Sequence, residues 1–132
     1  MKRAFLVIAC VAALSVVLFA QDADYQKWMK DVSSTNTALG KELTAKSPDA
    51  ANDAKKLADI FGQVHDYWQK KGIDDAAKES ADAQAGFKQA ADLVTAGKFD
   101  EASAAVKTAS NSCASCHMDH RDRHPDGSYG IK

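Results

Sequence analysis

The sequence predicts an all-α protein, an antiparallel up-down-up-down four-helix bundle, on three observations. Apolar residues recur at spacings of three, four and seven through four successive segments. The chain breakers Pro48, Gly72, Gly97 and Pro125 fall between or after those segments, and no stretch alternates with the period of a strand. Two prolines and seven glycines in 132 residues are also too few for a loop-rich all-β fold.

The first helix opens near Asp22 and carries Tyr25, Trp28, Met29, Val32, Leu39 and Leu43 on one stripe, stopping before Pro48. Ser47-Pro48-Asp49 then reads as an N-cap, a first-turn proline and a first-turn acid. The second helix has Ala54, Leu57, Ala58, Phe61, Val64, His65 and Trp68 as its stripe, and Gly72 as its stop. Asp74-Asp75 starts the third, whose inward positions are Ala76, Ala77, Ser80, Gln84, Phe87, Ala91 and Val94, with Gly97 ending it. The fourth begins at about Asp100 and shows Ala102, Val106, Ala109, Cys113, Cys116 and His120 on one face, running to about Arg123 before Pro125. Pro125-Asp126-Gly127 marks a turn, and the tail to Lys132 is expected to be loosely held.

Helices of about 23 residues joined by short connections fold back on one another, which gives the bundle. Its stripes are heavy in alanine. Large inward residues are few, so the helices alone bury a modest apolar area, and a bulky cofactor bound only by the folded state would stabilise it.

Residues 1–20 do not belong to this domain. Met1-Lys2-Arg3 is a short basic start, Ala4 to Ala20 is almost wholly apolar, and a polar stretch follows from Gln21, which is the pattern of a secretory signal peptide cleaved after Ala20. Cys10 goes with the discarded segment. The domain is then residues 21–132, with a net charge of −3 (15 basic, 18 acidic), expected in the periplasm with no stable membrane insertion. That balance supplies no basic face for nucleic acid.

Both remaining cysteines lie in one pentapeptide, Cys113-Ala114-Ser115-Cys116-His117. C-x-x-C-H is the spacing at which two thiols add to the vinyl groups of haem and the following imidazole ligates the iron. On a helix, residues at i, i+3 and i+4 share a side, so the thioether bonds and His117 approach one porphyrin face. Three other readings compete. A redox disulfide expects a βαβ context, a zinc site lacks its second ligand pair, and a chance motif leaves two thiols facing the interior of an exported protein.

A C-terminal C-x-x-C-H on the last helix of a secreted four-helix bundle resembles the class II cytochromes c, the cytochrome c-prime family, over essentially the whole mature chain. In that family an aromatic three residues after the histidine commonly precedes a basic residue; here His120 departs from the aromatic and Arg121 matches the basic position. Gln26-Lys27-Trp28-Met29-Lys30-Asp31 is similar to the segment by which low-spin members supply a methionine as second axial ligand. The resemblance implies one covalent haem c with iron between His117 and Met29, and a homodimer through the first helix.

Register supports the same pairing, since Met29 stands about six residues inside the first helix and His117 about six before the end of the antiparallel fourth, at 1.5 Å per residue. The competing role for Met29 is core filling. His65, on the second helix's inward stripe, is the rival for the sixth position. Arg121, Lys27 and Lys30 are candidates to balance haem propionates, and Ser80 and Gln84 to hydrogen-bond inside the bundle. No acid–base pair, activated nucleophile or phosphate loop accompanies the motif, so the expectation is an electron carrier serving redox partner proteins and not an enzyme. A gas-binding or sensing haem protein with an open sixth site is the alternative.

Overall fold

The computed structural model describes the backbone of residues 2–132 and the side chains of residues 22–132; the side chains of the expected leader at 1–20, Cys10 among them, lie outside the described ones, and the first helix runs back to Lys2 instead of opening near Asp22. Four helices, α1 (Lys2–Thr44), α2 (Ala50–Lys71), α3 (Asp74–Thr95) and α4 (Phe99–His120), are followed by two short strands, β1 (Arg121–Arg123) and β2 (Tyr129–Ile131). Each helix packs on the next, and α1 returns to α4 over a shorter seam, so the four form a bundle. Among the described residues, no helix is long and apolar enough to cross a membrane.

The three connections share one device. At Gly72 (φ 71°) the N–H bonds to Gln69 O while the Ile73 N–H reaches back to Trp68 O. Gly97 (φ 74°) repeats the pattern on Val94 O and Leu93 O, closing the α2 and α3 termini by paired bonds around a left-handed residue. The end of α1 uses the same bonds, from Lys46 to Leu43 O and from Ser47 to Glu42 O, but places Lys46 at φ 52°. Ser47 Oγ accepts from the Asp49 N–H at 3.2 Å, but α2 starts at Ala50 with Asp49 in the cap position and no side-chain cap bond, so the cap predicted at Ser47 lies two residues ahead of the observed one.

The core runs through Leu39 and Leu43 of α1, Leu57, Phe61, Val64 and Trp68 of α2, Phe87 and Val94 of α3, and Ala102, Ala105 and Ala109 of α4. Two inward assignments on α3 are corrected: Ala83 and Ala90 are buried where Gln84 and Ala91 were expected, and the latter two are half-buried. The cause is that α3 packs between α2 and α4 and turns the seam through 76, 80, 83, 87, 90 and 94 to the middle. Gln84 covers Gly62, where a Cβ would stand 2.7 Å from its Nε2, and Gly86 meets Ala109 closely enough that a Cβ would stand 2.8 Å from the alanine's. Both glycines let helix backbones approach.

The chain's end differs most from expectation. Helix α4 stops at His120 and not at Arg123, because Arg121 turns extended and β1 pairs antiparallel with β2, Arg121 opposite Ile131 and Arg123 opposite Tyr129. Pro125-Asp126-Gly127 makes the predicted turn, with Gly127 at φ 86° and Asp126 Oδ1 accepting from the Ser128 N–H. Instead of trailing loosely, the tail is tied down. Ile131 packs on the core, the Lys132 N–H donates to His120 O at 2.9 Å, and Lys132 Nζ donates to Met118 O at 2.7 Å, satisfying the carbonyls α4 leaves open.

Candidate functional site

Where α1 and α4 part, the bundle encloses a cavity of about 630 Å³. That volume lies in the range of small-molecule and cofactor sites, roughly 300–1,000 Å³. One wall is α4, with Cys113, Cys116, His117 and His120; the facing wall is α1, with Tyr25, Met29, Val32 and Asn36. Phe61 and Phe87, stacked at 5.5 Å between ring centres, lie in the lining from α2 and α3. The hairpin adds Arg121 and Tyr129 to Ile131.

All five residues singled out from the sequence, Cys113, Cys116, His117, Met29 and Arg121, therefore line one cavity. His65 does not. It lies half-buried on α2 with Nδ1 3.3 Å from Asp66 Oδ1, outside this lining. Lys30 shares the lining, whereas Lys27 faces outward and pairs with Asp31 at 3.9 Å. Ser80 is buried with its hydroxyl donated to Ala76 O, as its inward position predicted.

The two cysteines are free thiols, half-buried on successive turns of α4, and Cys113 Sγ points to Ala109 O at 3.5 Å. Burial pushes the Cys113 thiol up to about 11; burial, with Glu79 next in weight, pushes Cys116 up to about 12. Thiols so placed stay protonated at neutral pH, the opposite of the lowered values that redox C-x-x-C pairs exploit. Among the described residues no three His, Cys, Asp or Glu side chains gather as they would around a metal ion. His117 is lowered by burial and then by the neighbouring Arg121 cation, which keeps its imidazole neutral and able to ligate.

The cavity also holds polar atoms without partners: Asn36 Oδ1 and Glu79 Oε2 are buried and unbonded, and His120 Nε2 stands 3.2 Å from Asp75 Oδ2 but off the line a hydrogen bond needs. Buried polar groups are normally satisfied, so these atoms point to an occupant with polar edges. Asn36 and Glu79 went unnoticed in the sequence. Asn36 stands seven residues after Met29 on the same stripe, a spacing that would have found it. The hairpin's share of the wall had no such signal, because three-residue strands carry too little alternation to read.

No protein-family model, curated protein or solved structure matches the chain.

Proposed function

We propose that the chain is an exported, periplasmic monohaem c-type cytochrome that carries single electrons between redox partner proteins. One observation carries the reading: both thiols and the imidazole of the C-x-x-C-H pentapeptide line the same large cavity as Met29. The residues fit the group. Cys113 and Cys116 would hold haem c through thioethers. His117 from α4 and Met29 from α1 would ligate its iron, and Arg121 with Lys30 would offset its carboxylates. When bound, the iron supplies a one-electron couple. The chain's own part is to exclude water with Val32, Phe61, Val64 and Phe87, and to hold both ligands on helices, so that coordination changes little between oxidation states.

The test is an absorption spectrum of the purified exported protein, oxidised, reduced and reduced under CO, together with acid extraction into organic solvent. Colour that stays with the polypeptide, a low-spin ferric spectrum with the weak long-wavelength sulfur-to-iron band, and slow CO uptake are expected. Colour that extracts completely overturns covalent attachment. A high-spin ferric spectrum with immediate CO binding would make the protein a gas binder.

A further inference from the structure

Four aromatic side chains form a continuous contact path that begins at the cavity and ends at the surface. Tyr25, buried in the core, lines the cavity. Its ring centre lies 4.6 Å from that of Tyr67 and 5.5 Å from that of Trp68. Tyr67 in turn lies 6.5 Å from the half-buried Trp28, edge to face. Stacking energy alone explains rings in contact. It does not explain the far end of the path, where Tyr67 Oη donates to Asp22 Oδ1 at 2.7 Å, a carboxylate half exposed to solvent.

That hydrogen bond separates Tyr67 from the other rings. A phenol that loses an electron becomes a strong acid and is stabilised when its proton has somewhere to go. Asp22 is held below the usual carboxylate range, first by the Tyr67 hydrogen bond and then by Lys71, so it is ionised and available. The Trp68 indole N–H, by contrast, is buried and has no carboxylate beside it, its nearest polar neighbour being the Tyr25 phenol, so a hole on Trp68 has no base to take its proton. The Lys71 ammonium, 4.9 Å from the Tyr67 ring centre, opposes a hole on that ring, but it also lies 3.3 Å from Asp22 Oδ1, whose charge offsets it.

We propose that Tyr25, Tyr67 and Trp28, with Asp22 as proton acceptor, form a relay that drains a single oxidising equivalent from the cavity to the α1–α2 surface, where it rests on Tyr67 as a neutral tyrosyl radical. One electron passes from Tyr67 by way of the Tyr25 ring to the oxidant in the cavity, Tyr25 ending as it began, and the Tyr67 phenolic proton passes to Asp22 and on to water. The oxidant is a peroxide, reduced to two waters by two electrons and two protons: one electron comes through the relay, the other would come from the iron's own one-electron couple, and the protons come from solvent. The cavity end rests on the haem reading above; the resting place of the radical does not.

Freeze-quench electron paramagnetic resonance of the purified full chain decides it in two arms, one with hydrogen peroxide and one with photo-oxidation by ruthenium tris-bipyridyl and persulfate. A neutral tyrosyl signal is expected in both, lost in Tyr67→Phe and several-fold weaker in Asp22→Asn at equal helix content. Tyr25→Phe should weaken it in the peroxide arm alone. A signal that survives Tyr67→Phe, or that vanishes only with the exposed Tyr129, overturns the proposal. Absence of haem would already show in the visible spectrum, and the photochemical arm would then decide on Tyr67 and Asp22 by itself. If Tyr67→Phe unfolds, the undiminished signal of Asp22→Asn is the overturning result.

Discussion

Met29 is the side chain on which the electron-carrier and gas-binder readings part. It lines the same cavity as His117 from α1, and among the described residues no other methionine does so, since Met118 sits 70% exposed on α4. Met29→Ala is expected to turn the ferric iron high-spin, speed CO binding and lower the reduction potential, because thioether ligation favours the ferrous state. His65→Ala should change none of these, given its place beside Asp66 outside the cavity lining. A spin change on His65→Ala and not on Met29→Ala would reverse the assignment. Asp22 offers a second residue-scale expectation. Its folded value is depressed, so its contribution is present above the unfolded value of about 3.9 and is lost as pH falls through the folded one. Thermal melts of Asp22→Asn and wild type should therefore differ more at pH 7 than at pH 2. Equal differences at both pH values would show that the carboxylate contributes nothing specific.

The helix ends carry the clearest element-scale prediction. Three helices close on a left-handed residue; two use glycine and α1 uses Lys46. A Cβ in that region is costly by roughly 1–2 kcal/mol, so Lys46→Gly should stabilise the fold by about 1 kcal/mol, while Gly72→Ala and Gly97→Ala destabilise it by a similar amount. Chemical denaturation midpoints at unchanged slope check the sign. Gly86→Ala acts differently, because the new methyl would sit 2.8 Å from Ala109 Cβ on a neighbouring helix, and overpacking of that kind costs about 1–3 kcal/mol. These ends also explain what was legible. Gly72 and Gly97 fix boundaries by backbone chemistry that is local to the sequence, and the structure follows them. The end of α4 was misplaced because it depends on Lys132, twelve residues beyond His120 in the chain, which caps the last carbonyls once the hairpin closes. Ala83 and Ala90 were missed for a related reason, since periodicity in an alanine-rich helix does not say which of two adjacent faces meets two neighbours at once.

At the scale of the whole molecule, large side chains are distributed unevenly. Trp68, Leu57 and Val64 put α2 at the centre of the core, and Phe87 joins α3 to it. Helix α4, which bears the pentapeptide, buries only Ala102, Ala105 and Ala109. Beyond Ala109 its inward face, through Cys113, Cys116 and His117, lines the cavity, and the two cysteines pack on the core only in part. At roughly 25 cal/mol per Å² of apolar area, three alanines and the rim of a cavity hold a 22-residue helix weakly, and an isolated helix of that length is marginal in water. The cavity's occupant is therefore expected to supply the missing contacts for the second half of α4 and for the facing part of α1. Without it, the α2–α3 pair should keep most of its structure while residues 110–120 and the hairpin behind them open locally. Hydrogen exchange of the chain produced without haem-attachment machinery should show protection concentrated in α2 and α3, and rapid exchange from Ser110 onward. The loaded protein should protect α4 throughout. Equal protection of α4 in both forms would mean that close alanine packing against Gly86 and Ala83 suffices on its own, and that the cavity contributes to function without contributing to the fold.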